Sequence, residues 1–294
     1  MNKNFVEPAD RYLVSDGVKL HYAEWGDPTR ETLILVHGNR DHCRSWDFFV
    51  AALGARGSLP FHVVALDLRG HGDSEWHSPD RQYQHEDFLL DLSCLIRHLG
   101  KETFSLAGHS LGGAMAVLYS GCFPERIRRL VLVEALGPYA RSDQDVPRLL
   151  AQWLGENGSA SERFYPDMEE AAKAIQKRFP TIPDGAALYM ARYGMKRTEN
   201  GWIWKYDPRV RFPSFSTFSE AQIQAFIHRI ECPTLLVYGE AGEFMKSPRA
   251  YRVSLFKNMQ VMGIADAGHH VPHEKPNELA GVVYPFLRAR SPNG

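Results

Sequence analysis

The pentapeptide Gly108-His109-Ser110-Leu111-Gly112 constrains this chain more than any other feature of its sequence. It follows a short apolar run, Thr103-Phe104-Ser105-Leu106-Ala107, and opens onto a helical pattern from Gly113 to Tyr119. A strand that turns sharply into a helix lifts a serine hydroxyl clear of the backbone and aims it outward. Such a turn strains the serine, and a side chain at either flanking glycine would crowd the strand or helix that it joins. The motif is weak in isolation and strong in this strand–helix setting.

The surroundings supply a scaffold for it. Thr32-Leu33-Ile34-Leu35-Val36, His62-Val63-Val64-Ala65-Leu66, Arg129-Leu130-Val131-Leu132-Val133 and Thr234-Leu235-Leu236-Val237-Tyr238 are apolar runs without alternation, as in strands covered on both faces. Helical patterns over 46–53, 86–99 and 111–123 separate them; Phe88, Leu92, Leu95 and Leu99 recur at the spacing of a buried helix face. Strand and helix in alternation predict a mostly parallel, doubly wound α/β sheet. Near the N-terminus, Ser15-Asp16-Gly17 between two short runs reads as a hairpin turn. From Gly137 to about Ser219 the rhythm breaks into charged and aromatic helical pieces, including 168–178 and 184–193, with 201–206 a short strand or a loop. We assign 1–136 and 220–294 to an α/β core and 137–219 to a cap inserted over the strand ends.

Composition closes off other classes. The chain has 294 residues, enough for one large domain plus a lid, and a formal net charge of −1, which gives no field for nucleic acid or an anionic membrane. No apolar run is long enough to span a membrane and no leader-like segment opens the chain, so a cytoplasmic location is expected. Cys43, Cys94, Cys122 and Cys232 lie far apart without metal spacing and read as reduced, mostly buried thiols.

A serine hydroxyl needs a base within hydrogen-bond reach. The stretch Asp266-Ala267-Gly268-His269-His270-Val271-Pro272-His273-Glu274 offers three histidines. His269, directly after a glycine, is the candidate base; His270 and His273 are expected to pack or to orient the loop. On spacing alone all three pass equally well for solvated loop residues, and the serine elbow decides between these readings. An oxyanion needs donors. The N–H of Leu111, opening the helix, is one, and that of Asn39, in the turn His37-Gly38-Asn39-Arg40-Asp41-His42, is the other. His37 is expected to be structural, and Asp41 and His42 to add polarity or merely brace the turn.

With these pieces in order, the chain resembles an α/β-hydrolase-fold serine hydrolase. His37-Gly38 after the third strand, Asp67-Leu68-Arg69-Gly70-His71-Gly72-Asp73-Ser74 after the fourth, the elbow, and Gly268-His269 carry the resemblance. Leu132-Val133-Glu134-Ala135-Leu136-Gly137-Pro138 and Trp204-Lys205-Tyr206-Asp207-Pro208-Arg209 are similar to its serine-hydrolase-like, esterase subgroup. The family implies an eight-stranded sheet with an antiparallel second strand and a cap after strand six. It implies loop-holding roles for Asp67, Arg69, His71 and Asp73. It also implies an aspartate three residues after the glycine that ends strand seven, where this chain has Gly242. Glu243 lies one residue late and Glu240 two early. Some members carry the acid at the end of strand six, which points to Glu134. A carboxylate within Val131-Leu132-Val133-Glu134-Ala135-Leu136 is costly to bury without a partner, so Glu134 is the first choice and Glu243 the alternative. The other reading of Glu134 is an acceptor for loop N–H groups at the cap hinge.

Serine rather than a carboxylate at the elbow argues against haloalkane dehalogenase or epoxide hydrolase chemistry and for acyl transfer. The expected activity is hydrolysis of a small-molecule carboxylic ester, with carbon–carbon bond or lactone hydrolysis, or a non-catalytic ligand-binding role, as alternatives. No metal or organic cofactor is implied. Expected pocket residues are Trp46, His109, Trp153 and Tyr193, with Phe164, Tyr165, Tyr189, Trp202 and Trp204 as further liners or as the cap's own core. Arg192 and Arg209 are candidates to hold a substrate carboxylate.

Overall fold

The computed structural model describes residues 7–55, 57–156, 161–211 and 218–289, without the side chains of Trp153 and Glu156. Eight strands form the main sheet: β1 (Ala9–Ser15), β2 (Val18–Trp25), β3 (Thr32–Val36), β4 (His62–Leu66), β5 (Phe104–His109), β6 (Ile127–Val133), β9 (Thr234–Gly239) and β10 (Met259–Ile264). Their spatial order is β1-β2-β4-β3-β5-β6-β9-β10. β2 runs antiparallel to β1 and β4, and every other pairing is parallel. Asp16 and Gly17, both at positive φ, make the tight turn between β1 and β2.

The uninterrupted apolar runs are explained by cover on both faces. Ile34 and Val36 of β3 enter one core cluster with residues of α2 (His85–His98), α3 (Leu111–Cys122) and α7 (Glu220–His228). Leu33 and Leu35 enter the other, with α1 (Asp47–Gly54), α8 (Val271–Glu274) and α9 (Pro276–Arg288). A fully buried leucine or isoleucine in such a strand contributes roughly 1.5–3 kcal/mol. From β3 the chain steps to β4 on one side and then crosses to β5 on the other. Such a reversal leaves a crevice at the carboxyl ends of β3 and β5, where Val36 pairs with Gly108.

Between β6 and α7 lie α4 (Val146–Glu156), α5 (Met168–Arg178), α6 (Asp184–Gly194) and a hairpin of β7 (Met195–Thr198) and β8 (Gly201–Trp204). The uncertain 201–206 stretch is therefore a strand at its start, and its partner β7 is a strand that the sequence pattern does not announce. These elements have their own core, with Tyr165, Ala171, Ile182, Ala187, Met190 and Met195. Two of the four cysteines, Cys43 and Cys232, are buried; Cys122, at the end of α3, is exposed, a departure from the expected burial. No helix among the described residues is long and apolar enough to cross a membrane.

Candidate active site

Ser110 stands between β5 and α3 with φ 51° and ψ −112°, a left-handed conformation that a non-glycine residue adopts at a cost. Close packing forces it. A Cβ on Gly112 would lie 2.2 Å from the Val36 carbonyl oxygen, and one on Gly108 would lie 2.4 Å from the backbone of Gly112. The Ser110 N–H donates to the Val133 carbonyl at 3.0 Å and so ties the elbow to β6.

Three side chains from three strand ends meet here. His269 Nε2 lies 3.2 Å from Ser110 Oγ, and His269 Nδ1 lies 3.1 Å from Glu134 Oε2. Glu134, the residue after β6, is itself left-handed at φ 54°, and its carboxylate is buried. Its other oxygen, Oε1, accepts the N–H of Gly239 at 2.8 Å, so both oxygens are engaged. That satisfies the pairing requirement of a buried charge. The Nδ1–H donated to Glu134 leaves Nε2 bare to accept from the Ser110 hydroxyl. Such a chain can take a proton from an alcohol and return it to a leaving group.

The alternative carboxylate is elsewhere. Glu243 pairs with Lys246 at 2.8 Å and its side chain is 79% exposed, whereas the ring nitrogens of His269 face Glu134 and Ser110. Gly242 and Glu243 line the cavity in front of Ser110 from the loop after β9.

The loop carrying His269 is braced by a carboxylate that the sequence reading did not single out. Glu274 accepts the N–H groups of Gly268 and His270, the latter at 3.0 Å. The signal was present as Pro272 opening a short helix with a glutamate in its first turn. His109 adds a second brace: its Nε2–H donates to the His269 carbonyl at 2.8 Å. Burial and the nearby His269 hold its pKa down at about 3, so its ring is neutral. His270 and His273 are buried, and burial lowers both, His273 to about 4. His37 donates through Nδ1 to the Gly38 carbonyl and accepts the Leu68 N–H at Nε2, which makes it a brace between the turns after β3 and β4. His42 bonds the Met190 carbonyl of α6.

Leu111 is the first residue of α3, so its N–H has no partner within the helix. Asn39 borders both cavities that open onto Ser110. One cavity, about 620 Å³, runs past Tyr83, Phe88, Leu111, Tyr139, Val210 and Phe244. The other, about 520 Å³, runs beneath Tyr165, Ile175, Phe179, Met190 and Trp204 from the segment after β6, and past His109, His269 and His270.

Not all of the expected liners reach them. Trp46 borders neither cavity. It heads α1 and is buried in the core under the sheet, packed edge-on against Phe49. Tyr193 borders neither because α6 turns Met190 to the cavity, while Tyr189 and Tyr193, one turn apart, face Phe48 and Arg44. Tyr189 donates its hydroxyl to Asp47. The Trp153 side chain lies outside the described residues. Phe164 is exposed, and Trp202 packs on the core of α5 and α6. Neither proposed arginine reaches the site: Arg209 pairs with Asp207 at 2.6 Å and clamps the carbonyls of His77, Ser78, Pro79 and Arg81, and Arg192 lies over the Tyr193 ring.

Asp67 holds its loop through the N–H groups of Cys43 and Asp73 and through His21, and Arg69 pairs with Asp91. Among the described residues, two buried donor groups are close enough to share an ion, His21–Cys43–Asp67 and Asp41–His109–His270. The hydrogen bonds just given occupy the first. In the second, Asp41 Oδ2 and both ring nitrogens of His270 lack a protein partner, a setting that suits a buried water as well as an ion.

The fold and this crevice define the class. Residues 31–276 match the family model of the alpha/beta hydrolase fold, and the chain belongs to that family. A probable serine hydrolase of Drosophila melanogaster is 27% identical over 282 residues, covering 90% of this chain and 83% of its own. An esterase of Mycobacterium tuberculosis is 26% identical over 275 residues, covering 90% of this chain and 85% of its own. The crystal structure of a hypothetical protein from Pseudomonas aeruginosa superposes with a TM-score of 0.86 at 28% identity, over 97% of this chain and all of that one.

Proposed function

We propose that the chain is a serine hydrolase that cleaves a small-molecule carboxylic ester through an acyl-enzyme on Ser110. The observation that carries this reading is the continuous chain Ser110 Oγ–His269 Nε2, His269 Nδ1–Glu134 at 3.2 and 3.1 Å. His269 takes the Ser110 proton as Oγ attacks the ester carbonyl, and the N–H groups of Asn39 and Leu111 receive the oxyanion. The intermediate collapses as His269 passes that proton to the departing alkoxide, leaving the acyl group on Oγ. Water then enters, His269 takes its proton, and the acid leaves as Ser110 regains its hydrogen. Glu134 holds the ring in the productive tautomer and offsets the imidazolium charge. Residues 137–219 are assigned to the cap, of which α5, α6 and β8 border the cavity at Ser110. The kinship with a named esterase and a named serine hydrolase supports the same chemistry.

The test is turnover of p-nitrophenyl esters of rising acyl length, comparing wild type with Ser110→Ala, together with labelling by a fluorophosphonate. Hydrolysis and labelling by wild type, both absent in Ser110→Ala, are expected. Labelling without turnover of any ester would shift the reading to carbon–carbon or lactone cleavage, and no labelling at all would leave a ligand-binding role.

A further inference from the structure

The two cavities at Ser110 differ in charge. The one beneath α5 and β8 is bordered by four arginines, Arg40, Arg163, Arg178 and Arg211. The chain as a whole carries a net charge of only −1, so this cluster is not the local face of a basic protein. The one carboxylate that borders the same cavity, Asp41, is buried and bonded to the Ser45 hydroxyl, and it faces the histidines rather than the arginines. Among the described residues none of the four arginines makes an ion pair. Of the undescribed side chains only Glu156 carries a carboxylate; residues 157–160 and 212–217 contain no aspartate or glutamate.

Each guanidinium is positioned without its charge being cancelled. Arg178 lies over the Phe179 ring at 5.1 Å and Arg163 over Tyr165 at 4.9 Å. Arg211 donates to two carbonyls, those of Pro208 at 3.0 Å and Ser161 at 2.7 Å. Arg40, two residues beyond Gly38 in the oxyanion turn, is half-buried and left-handed at φ 63°. Burial and the charges of Arg178 and Arg211 hold its pKa below the ordinary arginine value. Arg163, Arg178 and Arg211 are exposed and Arg40 is the half-buried member; like charges gathered around one cavity repel one another unless an anion sits among them. Three buried arginines of this chain pair with carboxylates, Arg44 with Asp47, Arg69 with Asp91 and Arg252 with Glu220.

We propose that the substrate carries an anionic oxygen group, a carboxylate or a phosphate, which Arg40, Arg178 and Arg211 bind while its ester carbonyl lies at Ser110. The apolar half of the substrate then occupies the cavity lined by Phe88, Tyr139 and Phe244. The proposal rests on the esterase reading for the position of the ester; the anion site itself does not.

Two matched probe pairs test it. The mono-p-nitrophenyl ester of adipic acid is compared with p-nitrophenyl hexanoate, and the thioester of hexanoate with phosphopantetheine is compared with that of pantetheine. Preference in the first pair assigns a carboxylate on the acyl side; preference in the second assigns a phosphate on the leaving group. The anionic-to-neutral ratio of kcat/KM is read within each protein, so that a general loss cancels. Charge-assisted hydrogen bonds predict that Arg40→Met and Arg178→Met each lower the favoured ratio by at least ~10-fold. Arg178 is exposed on α5, so its variant does not put the fold at risk. Alongside, adipate and inorganic phosphate are tested for raising the thermal midpoint more than chloride at equal ionic strength, an effect expected in wild type and lost in Arg178→Met. No preference in either pair, or no midpoint shift by either anion, overturns the proposal. Absence of turnover and of Ser110 labelling with a retained midpoint shift would sink the esterase reading and leave the anion site standing.

Discussion

Replacing Glu134 with glutamine isolates the charge of one atom pair from the shape of the site. In wild type the two carboxylate oxygens receive two donors, the Gly239 N–H at 2.8 Å and the His269 Nδ1–H at 3.1 Å. A glutamine has one oxygen and one amide nitrogen, so it can serve only one of these donors. If its oxygen keeps Gly239, its NH2 group faces Nδ1, and the imidazole must take the other tautomer, with its hydrogen pointing at Ser110 and no lone pair to accept a proton. If its oxygen turns to His269, a buried N–H of Gly239 meets another donor, a cost of roughly 1–3 kcal/mol. Either way the imidazolium formed during attack loses its counter-charge. In the best-studied triad, neutralising the acid costs about 10⁴ in kcat. We therefore expect Glu134→Gln to lose about 10³–10⁴ in kcat/KM for a p-nitrophenyl ester, or about 4–5 kcal/mol of transition-state stabilisation. Circular dichroism and a thermal melt serve as the control for folding. Glu243→Gln, which breaks an ion pair with the exposed Lys246 at the cavity's edge, should stay within about twofold of wild type. Retention of more than about a tenth of wild-type activity by Glu134→Gln, or an equal loss in Glu243→Gln, would refute the assignment.

Further outcomes follow from the loop after β10 and from the buried histidines. Glu274→Gln replaces an acceptor of the Gly268 and His270 N–H groups, so the position of His269 should loosen; ester turnover should fall about 10-fold or more while Ser110 remains labelled by a fluorophosphonate, at a lower rate. Stability should fall as pH drops from about 7 to 5, because His71 and His109 at about 3 and His273 at about 4 stay neutral when folded yet take up protons when unfolded, at on the order of 1–2 kcal/mol each. His21, raised by its bond to Asp67 against the effect of burial, and Asp47, raised by burial to about 6, work in the opposite direction over the same range but are fewer. Neither ring nitrogen of the buried His273 has a protein partner, so His273→Leu should flatten the acid side of a Tm–pH curve, and an unchanged slope would contradict this account.

The parts legible in sequence are those whose physics is local. A strand covered on both faces must be apolar throughout, so β3 and β4 stand out unaided, and an elbow needs small residues at 108 and 112 because neighbouring backbone leaves no room for a Cβ. β7 is not legible, because Met195-Lys-Arg-Thr198 forms a strand only by pairing with β8, and nothing in four mostly polar residues foretells the partner. Aromatic identity likewise says nothing about direction. Trp46, Tyr189 and Tyr193 suit a pocket by type, yet the orientation of α1 and α6 turns them elsewhere and offers Met190 instead. The arginine cluster is invisible for the same reason, since residues 40, 178 and 211 come from separate segments that meet only at the cavity.

Glu134, the proposed acid, illustrates the limit most clearly. Glu134 is conspicuous in sequence as a charge inside an apolar run, but the reason it can remain charged is that β6 and β9 are neighbours, with Val133 paired to Val237 and the Gly239 N–H arriving at its oxygen. The position that most of the family gives to aspartate is here Gly242, and the structure leaves room for a side chain there. A Cβ on Gly242 would lie 3.4 Å from the Gly239 carbonyl oxygen and 3.7–3.8 Å from the backbone of Gly268, ordinary contact distances beside the residue that precedes His269. The two locations are therefore alternative places from which a carboxylate can approach one imidazole nitrogen. If the role belongs to the charge at Nδ1 rather than to the strand that bears it, adding Gly242→Asp to Glu134→Gln should recover about 10-fold or more of the lost kcat/KM. Gly242→Asp alone should gain nothing, because the site would then hold two carboxylates competing for one proton donor. A double variant as inactive as Glu134→Gln, with an intact melt, would show that Glu134 acts through its ties to Gly239 and the β6 terminus and not through its charge on His269.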